Sequence, residues 1–148
     1  MSETGKGKTL VIGLNWLGDV IMSFPALACL AKKAGGPVDV LTRPHLEELY
    51  KLSKYVKNIR LLNTRRPFWT HLSVYSRLRK RDYDRIVVLP ASFRAAFTAF
   101  LCGGRCRVGF SGQGRNWFLH EAVPWPPGFT ERHERFLYEG LAAWPENE

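Results

Sequence analysis

Asp19 is the residue in this chain best placed to do chemistry. It follows directly on Gly18, in the segment Gly13–Leu–Asn–Trp–Leu–Gly18–Asp19 that closes an apolar run, Thr9–Leu14. A buried strand entering a glycine-bearing turn and then a helix sets its last residues at a sheet edge, and ligands of open α/β sheets bind at the carboxyl ends of strands. Asn15, Gly18 and Asp19 are therefore candidate site residues. Two readings of Asp19 stay open. A carboxylate at a helix start can cap free N–H groups. It can also act as a general base, one weakened by the helix N-terminus and so suited to a nucleophile that loses its proton late, as a leaving group departs.

The same turn excludes a common alternative. A dinucleotide fingerprint needs three glycines in G-x-G-x-x-G, and a P-loop follows its second glycine with Lys and then Ser or Thr. Asp19 stands where that lysine would be, and a carboxylate there repels phosphate. Cys102 and Cys106 are four apart without two further ligands at suitable spacing, since His120 and His133 are not so arranged; no metal is expected. No cofactor is expected either.

These residues need a scaffold, and the hydrophobic pattern supplies one. Thr9–Leu14 lacks alternation, as a strand buried on both faces does. Helical spacing follows through Val20, Phe24, Leu27 and Ala31, broken by Pro25 into a kink or two helices. Strands are expected at 37–41, 58–62, 85–89 and 107–109, with a brief one at 122–123. Helices are expected at 44–54, 69–81, 93–101 (capped by Ser92) and from Thr130 or Glu131 to about Ala143. Strand and helix alternate throughout, which predicts a Rossmann-like parallel sheet with helices on both faces. Residues 1–8 read as a disordered lead-in and 9–145 as one domain.

The parallel order places Arg65 and Arg66, after the third strand, at the same edge as Asp19. Arg94 follows the fourth strand and Arg115 the fifth, at that edge too. The basic run Arg77–Arg81 ends a helix at the opposite edge, where it offsets the helix dipole or attracts anionic lipid. The 148 residues carry 22 basic and 13 acidic side chains, a formal charge of +9, so an anionic partner is expected. Three cysteines without a framework pattern and a polar start lacking a secretory signal read as cytoplasmic.

Three blocks carry a resemblance. Leu14–Asn–Trp–Leu–Gly–Asp–Val–Ile–Met–Ser–Phe–Pro–Ala–Leu27 resembles the opening loop and first helix of the ADP-heptose:lipopolysaccharide heptosyltransferases, the family 9 glycosyltransferases. Tyr83–Asp–Arg–Ile–Val–Val–Leu–Pro–Ala–Ser–Phe–Arg–Ala–Ala96 and Arg107–Val–Gly–Phe–Ser–Gly–Gln–Gly–Arg115 resemble two further blocks of that family, in family order. The resemblance implies one half of a GT-B architecture. It also implies an inverting, metal-independent transfer of heptose to the lipopolysaccharide inner core, with Asp19 as the base.

On that reading Asn15, Gly18, Arg65, Arg66, Arg94 and Arg115 bind the acceptor, whose carboxylates and phosphates suit guanidinium groups. Family members are about twice as long. The expectation is therefore an N-terminal acceptor domain, the C-terminal donor-binding domain being absent, ADP-heptose reaching the site through that other half, and no turnover by this chain alone. Peripheral contact with the inner membrane is a further expectation. The alternative is a non-catalytic binding domain for an anionic glycan or nucleic acid, although no recognition-helix, zinc or single-strand-binding signature supports nucleic acid.

Overall fold

The computed structural model describes residues 7–63, 65–112, 114–125 and 134–143. Six strands form one sheet: β1 (Thr9–Ile12), β2 (Val38–Thr42), β3 (Val56–Leu61), β4 (Arg85–Val88), β5 (Cys106–Phe110) and β6 (Glu121–Val123). Their order is β3-β2-β1-β4-β5-β6, and every neighbouring pair is parallel. The strand order reverses between β1 and β4, the switch point where such sheets open a crevice.

The unalternating pattern of β1 has the cause anticipated for it. Val11 packs into one core, while Leu10 and Ile12 pack into the other on the opposite face. β4 repeats this, with Val87 on the first face and Ile86 and Val88 on the second. The first face is covered by α1 (Leu17–Met22), α2 (Phe24–Ala34), α3 (Glu47–Lys51) and α6 (Glu134–Ala143), through Val20, Leu27, Tyr50 and Leu141. The second is covered by α4 (Leu72–Lys80) and α5 (Phe93–Cys102), through Tyr75, Leu78, Ala95 and Ala99. Each fully buried Leu or Ile contributes on the order of 2 kcal/mol.

Pro25 lies in the first turn of α2, where its missing N–H costs nothing, so the chain makes two helices parted at Ser23. Ser92 caps α5 by accepting from the Ala95 N–H at 3.1 Å. Several elements differ from expectation. The helix expected over 44–54 is a 3-10 turn, Pro44–Leu46, followed by the short α3. The helix expected from Trp69 starts as a 3-10 turn, Phe68–His71. A 3-10 turn also forms at Arg115–Phe118, between β5 and β6. Of the lead-in drawn over residues 1–8, residues 1–6 lie outside the described residues. Gly7 and Lys8 are already bonded to the fold, the Lys8 N–H donating to Asp84 Oδ2 at 2.8 Å. The expected helix start at Thr130 or Glu131 also lies outside the described residues. No helix among the described residues is long and apolar enough to cross a membrane.

Candidate functional site at the carboxyl edge of the sheet

The turn after β1 is built on Tyr50. This fully buried side chain reaches from α3 so that its hydroxyl accepts the Leu14 N–H at 3.2 Å. Gly13 donates its own N–H to the Leu41 carbonyl at 2.9 Å. A Cβ on Gly13 would stand 2.7 Å from the Tyr50 hydroxyl and 3.1 Å from the Leu41 carbonyl oxygen. Only glycine fits between β2 and that hydroxyl.

From this anchored turn the chain enters α1 at Trp16, the N-cap residue, whose extended backbone (φ −118°, ψ 143°) has no side-chain cap. Asp19 is thus the third residue of the helix and not its cap. Its carboxylate has no hydrogen-bond or ion-pair partner among the described residues, and it is partly exposed. The capping reading of Asp19 falls away, and what remains is an acidic side chain without a partner among the described residues. Gly18, one residue before, has open space around its missing side chain. Packing does not require glycine there, which leaves room beside Asp19.

A cavity of about 60 Å³ opens at the switch point, lined by Gly13 and Asn15 after β1, Thr42 at the end of β2 and Arg43 after it, and Ser92 and Arg94 at the start of α5. The structure therefore brings Asn15 and Arg94 together. A wider groove of about 350 Å³ adjoins it, lined by Arg43, Pro44, His45, Asn63 and Arg65. The loop that carries Arg65 is tied down, because the Arg65 N–H donates to Asn63 Oδ1 at 3.1 Å and His71 Nε2 donates to the Asn63 carbonyl at 2.7 Å. Arg66 is exposed beyond it and lines neither space.

Arg43 is the side chain that sequence reasoning missed. It borders both spaces, and its Nε is buried without a hydrogen-bond partner among the described residues, as is Thr42 Oγ1. An unpaired buried donor beside a cavity is costly unless a ligand satisfies it. The signal was present in the sequence. Pro44 forces the residue before it into extended backbone, here φ −81° and ψ 151°, so Arg43 stays at the end of β2.

Arg115 corrects its expected role. It sits after β5 as anticipated, but it is only 5% exposed. Its guanidinium donates to three carbonyls: Phe110 at 3.2 Å, Ala91 at 3.3 Å and Ser111 at 2.7 Å. Burial lowers its pKa from the ordinary value. Arg115 clamps the β4–α5 and β5 loops, with three of its five N–H donors spent on carbonyls and the side chain buried. Replacing it with Met is expected to cost about 2–4 kcal/mol, read as a lowered urea midpoint with unchanged slope.

Trp125 also covers structure. It stacks on Phe110 at 4.3 Å and donates to the Ser111 carbonyl at 3.0 Å. Trp117, by contrast, is exposed, and Phe129 and His133 lie outside the described residues. The cysteines play no part in the site. Cys102 is fully buried, its thiol pushed up to about 12 by burial, and Cys106 faces Glu121 at 3.6 Å. Among the described residues no three His, Cys, Asp or Glu side chains converge as a metal site would need.

Comparison with known proteins agrees with this architecture. The sequence profile of glycosyltransferase family 9 (heptosyltransferase) matches residues 71–137. The chain is 30% identical over 142 residues to lipopolysaccharide heptosyltransferase 2 of Escherichia coli K12, and equally so to that of Salmonella typhimurium LT2. Each match takes in 89% of this chain, which spans about 40% of the length of those relatives. The solved structure of the E. coli ADP-heptose lps heptosyltransferase II superposes with a TM-score of 0.76 at 26% identity, over 91% of this chain and 40% of that one. A family 9 glycosyl transferase from Veillonella parvula shares the fold, with a TM-score of 0.81 at 17% identity, over 95% of this chain and 41% of its own. The six-stranded sheet is thus the fold of one half of these GT-B enzymes.

Proposed function

We propose that this chain is the acceptor-binding, N-terminal half of a family 9 glycosyltransferase, one that moves heptose from ADP-heptose to the lipopolysaccharide inner core. The observation that carries this reading is Asp19, a partly exposed carboxylate without a partner among the described residues, in the helix entered from the β1 turn, whose Gly13 and Asn15 line a cavity together with Arg43 and Arg94. Its support is that sequence and fold follow heptosyltransferases over nine-tenths of the chain.

In this mechanism an acceptor hydroxyl attacks the anomeric carbon of the donor from the face opposite ADP. The new C–O bond forms as the bond to the terminal phosphate oxygen breaks, and that oxygen keeps the electron pair. Asp19 takes the hydroxyl proton, and the configuration at carbon inverts. Because the carboxylate is a weak base, the proton moves late, when the attacking oxygen has become acidic. Asn15, Arg43, Arg65 and Arg94 hold the anionic acceptor, and the space at Gly18 lets its hydroxyl reach Asp19. Arg66, on the same loop as Arg65, contacts the acceptor from outside the groove. The displacement draws on no metal or cofactor held by this chain, and its nucleotide-sugar donor sets it on the cytoplasmic side.

The donor is held by a second half, facing this one across the cleft. The purified chain with ADP-heptose and lipopolysaccharide acceptor is expected to give no transfer, and addition of a separately expressed donor-binding half is expected to give it. Transfer by the chain alone would overturn the division of labour. Acceptor binding with no transfer in the mixture would replace the enzyme by a binding domain.

A further inference from the structure

Trp16 is an exposed indole that folding does not explain. Its side chain is 74% exposed, and among the described residues it has neither a ring nor a hydrogen-bond partner. As the N-cap residue of α1 it supplies no cap, and Trp is a poor choice for that position. The core closes without it: Val20 makes the buried contact of α1, and the Tyr50 hydroxyl fixes the turn through the Leu14 N–H. A large, rigid apolar ring with no internal contact is the kind of side chain that recurs where a ligand or partner binds.

Its place in the chain says what binds. Asn15, the residue before it, lines the cavity at the switch point. Asp19, the proposed base, lies three residues on, and helical side chains tilt back toward the helix N-terminus. The spacing sets indole and carboxylate as neighbours on one flank of α1, and Gly18, between them in the chain, has open space around it. Leu17 and Ile21 are exposed too, but they stand four apart on the other side of the buried Val20. Trp69 and Trp117 are exposed as well, yet they belong to the loops after β3 and β5.

A flat apolar ring, a carboxylate that accepts hydroxyl hydrogen bonds and guanidinium groups nearby match one class of ligand: a pyranose that carries an anionic group. The axial C–H bonds of a pyranose make an apolar face that lies flat on an indole, held by dispersion and by the pull of the ring's negative face on polarised C–H bonds. Its hydroxyls meet Asp19, and its anionic substituent meets Arg43 and Arg94. A nucleobase also stacks on such a ring, but the Asp19 carboxylate repels the phosphates that flank every base.

We propose that Trp16 is the stacking platform of the acceptor site, on which the sugar that presents its hydroxyl to Asp19 lies flat. The stack fixes the plane of the sugar ring and so directs one hydroxyl at the carboxylate. The arginines fix only where the anion sits. This role rests on the acceptor-binding reading above and adds to it the residue that orients the sugar.

Binding of a deacylated lipopolysaccharide inner-core oligosaccharide to the whole chain, followed by calorimetry and tryptophan fluorescence, tests it. Trp16→Ala is expected to weaken binding roughly 10–30-fold, as truncation of an aromatic anchor does. The melting temperature is expected to stay unchanged, because neither Trp nor Ala caps a helix well. Trp16→Phe keeps a ring and is expected to recover most of the affinity. The loss in Trp16→Ala is expected to be independent of salt, whereas that in Arg43→Gln shrinks as salt rises. In the parent, saccharide binding is expected to shift indole emission to the blue as Trp16 loses water, and Trp16→Phe is expected to bind without that shift. Parent affinity in Trp16→Ala would overturn the platform and leave the acceptor reading standing. No binding by the parent would overturn both. Displacement of the saccharide by single-stranded DNA, lost in Trp16→Ala, would assign the ring to a nucleobase instead.

Discussion

Asp19→Asn is expected to reduce heptose transfer by about 10²–10⁴-fold in the assembled enzyme, the usual worth of a general base, while leaving the fold almost untouched. The two halves of this expectation come from the same geometry. Asn has the shape of Asp but cannot take a proton at neutral pH, so the acceptor hydroxyl must attack while still protonated. The carboxylate makes no hydrogen bond or ion pair among the described residues, so no internal contact is lost. The helix α1 loses only the attraction between its N-terminus and a first-turn acid, about 0.3–1 kcal/mol. Had Asp19 been the cap, the same change would have kept most of the stability through the amide oxygen, and Asp19→Ala would have cost about 1 kcal/mol more. The measurements are kcat with a lipopolysaccharide acceptor in the presence of the donor-binding half, and a urea titration of each variant. Transfer within a few-fold of the parent would remove Asp19 from the chemistry. Arg43→Gln separates binding from catalysis, since it is expected to raise the acceptor KM with little change in kcat.

The sheet was legible in the sequence because its central strands are buried on both faces, and such strands cannot alternate. β1 and β4 show this directly, with successive residues feeding opposite cores. Pro25 and Ser92 were legible because each has one favoured place at a helix start. Side-chain direction was not. Position after a strand sets Arg115 at the correct edge. Its burial depends on a turn in which Gly112 (φ 131°) and Gly114 (φ 77°) take backbone that side chains resist, folding the guanidinium under its own loop's carbonyls. Arg43 shows the opposite case, a site residue passed over because it follows the second strand in a short turn and carries no glycine signal. The helix start at Trp16 was hidden for a related reason. Trp is a poor cap, so no residue-type rule marks it, and the boundary is set by the anchored Leu14 N–H upstream.

That anchor carries a coupled structural effect. Gly13→Ala is expected to destabilise the chain by about 1–3 kcal/mol, the cost of overpacking a close-fitted site, because the added methyl meets the Tyr50 hydroxyl at 2.7 Å and the Leu41 carbonyl at 3.1 Å. Tyr50→Phe removes the hydroxyl and leaves the Leu14 N–H unpaired in a buried place, which costs about 1–3 kcal/mol. The two changes share one atom, so they are expected not to add. In the double variant the methyl occupies space the hydroxyl has vacated, and the total loss falls below the sum by more than the few tenths of a kcal/mol that independent sites show. The Leu41 backbone remains in the way, so recovery is partial.

Alkaline titration checks the same anchor by another route. Burial pushes the Tyr50 hydroxyl up to about 12, against 10.0 for a free tyrosine. A group whose pKa is raised on folding contributes stability that is complete below the unfolded value and lost as pH climbs through the folded one. The parent should therefore lose stability between pH 10 and 12, and Tyr50→Phe should lose less over that interval. Some loss persists in the variant, because the Tyr83 hydroxyl, buried and donating to Asp39 at 2.6 Å, is raised as well. Additive urea midpoints, together with parallel alkaline limbs in parent and variant, would show that Tyr50 does not hold the turn. The placement of Asn15 and Asp19 would then need another cause.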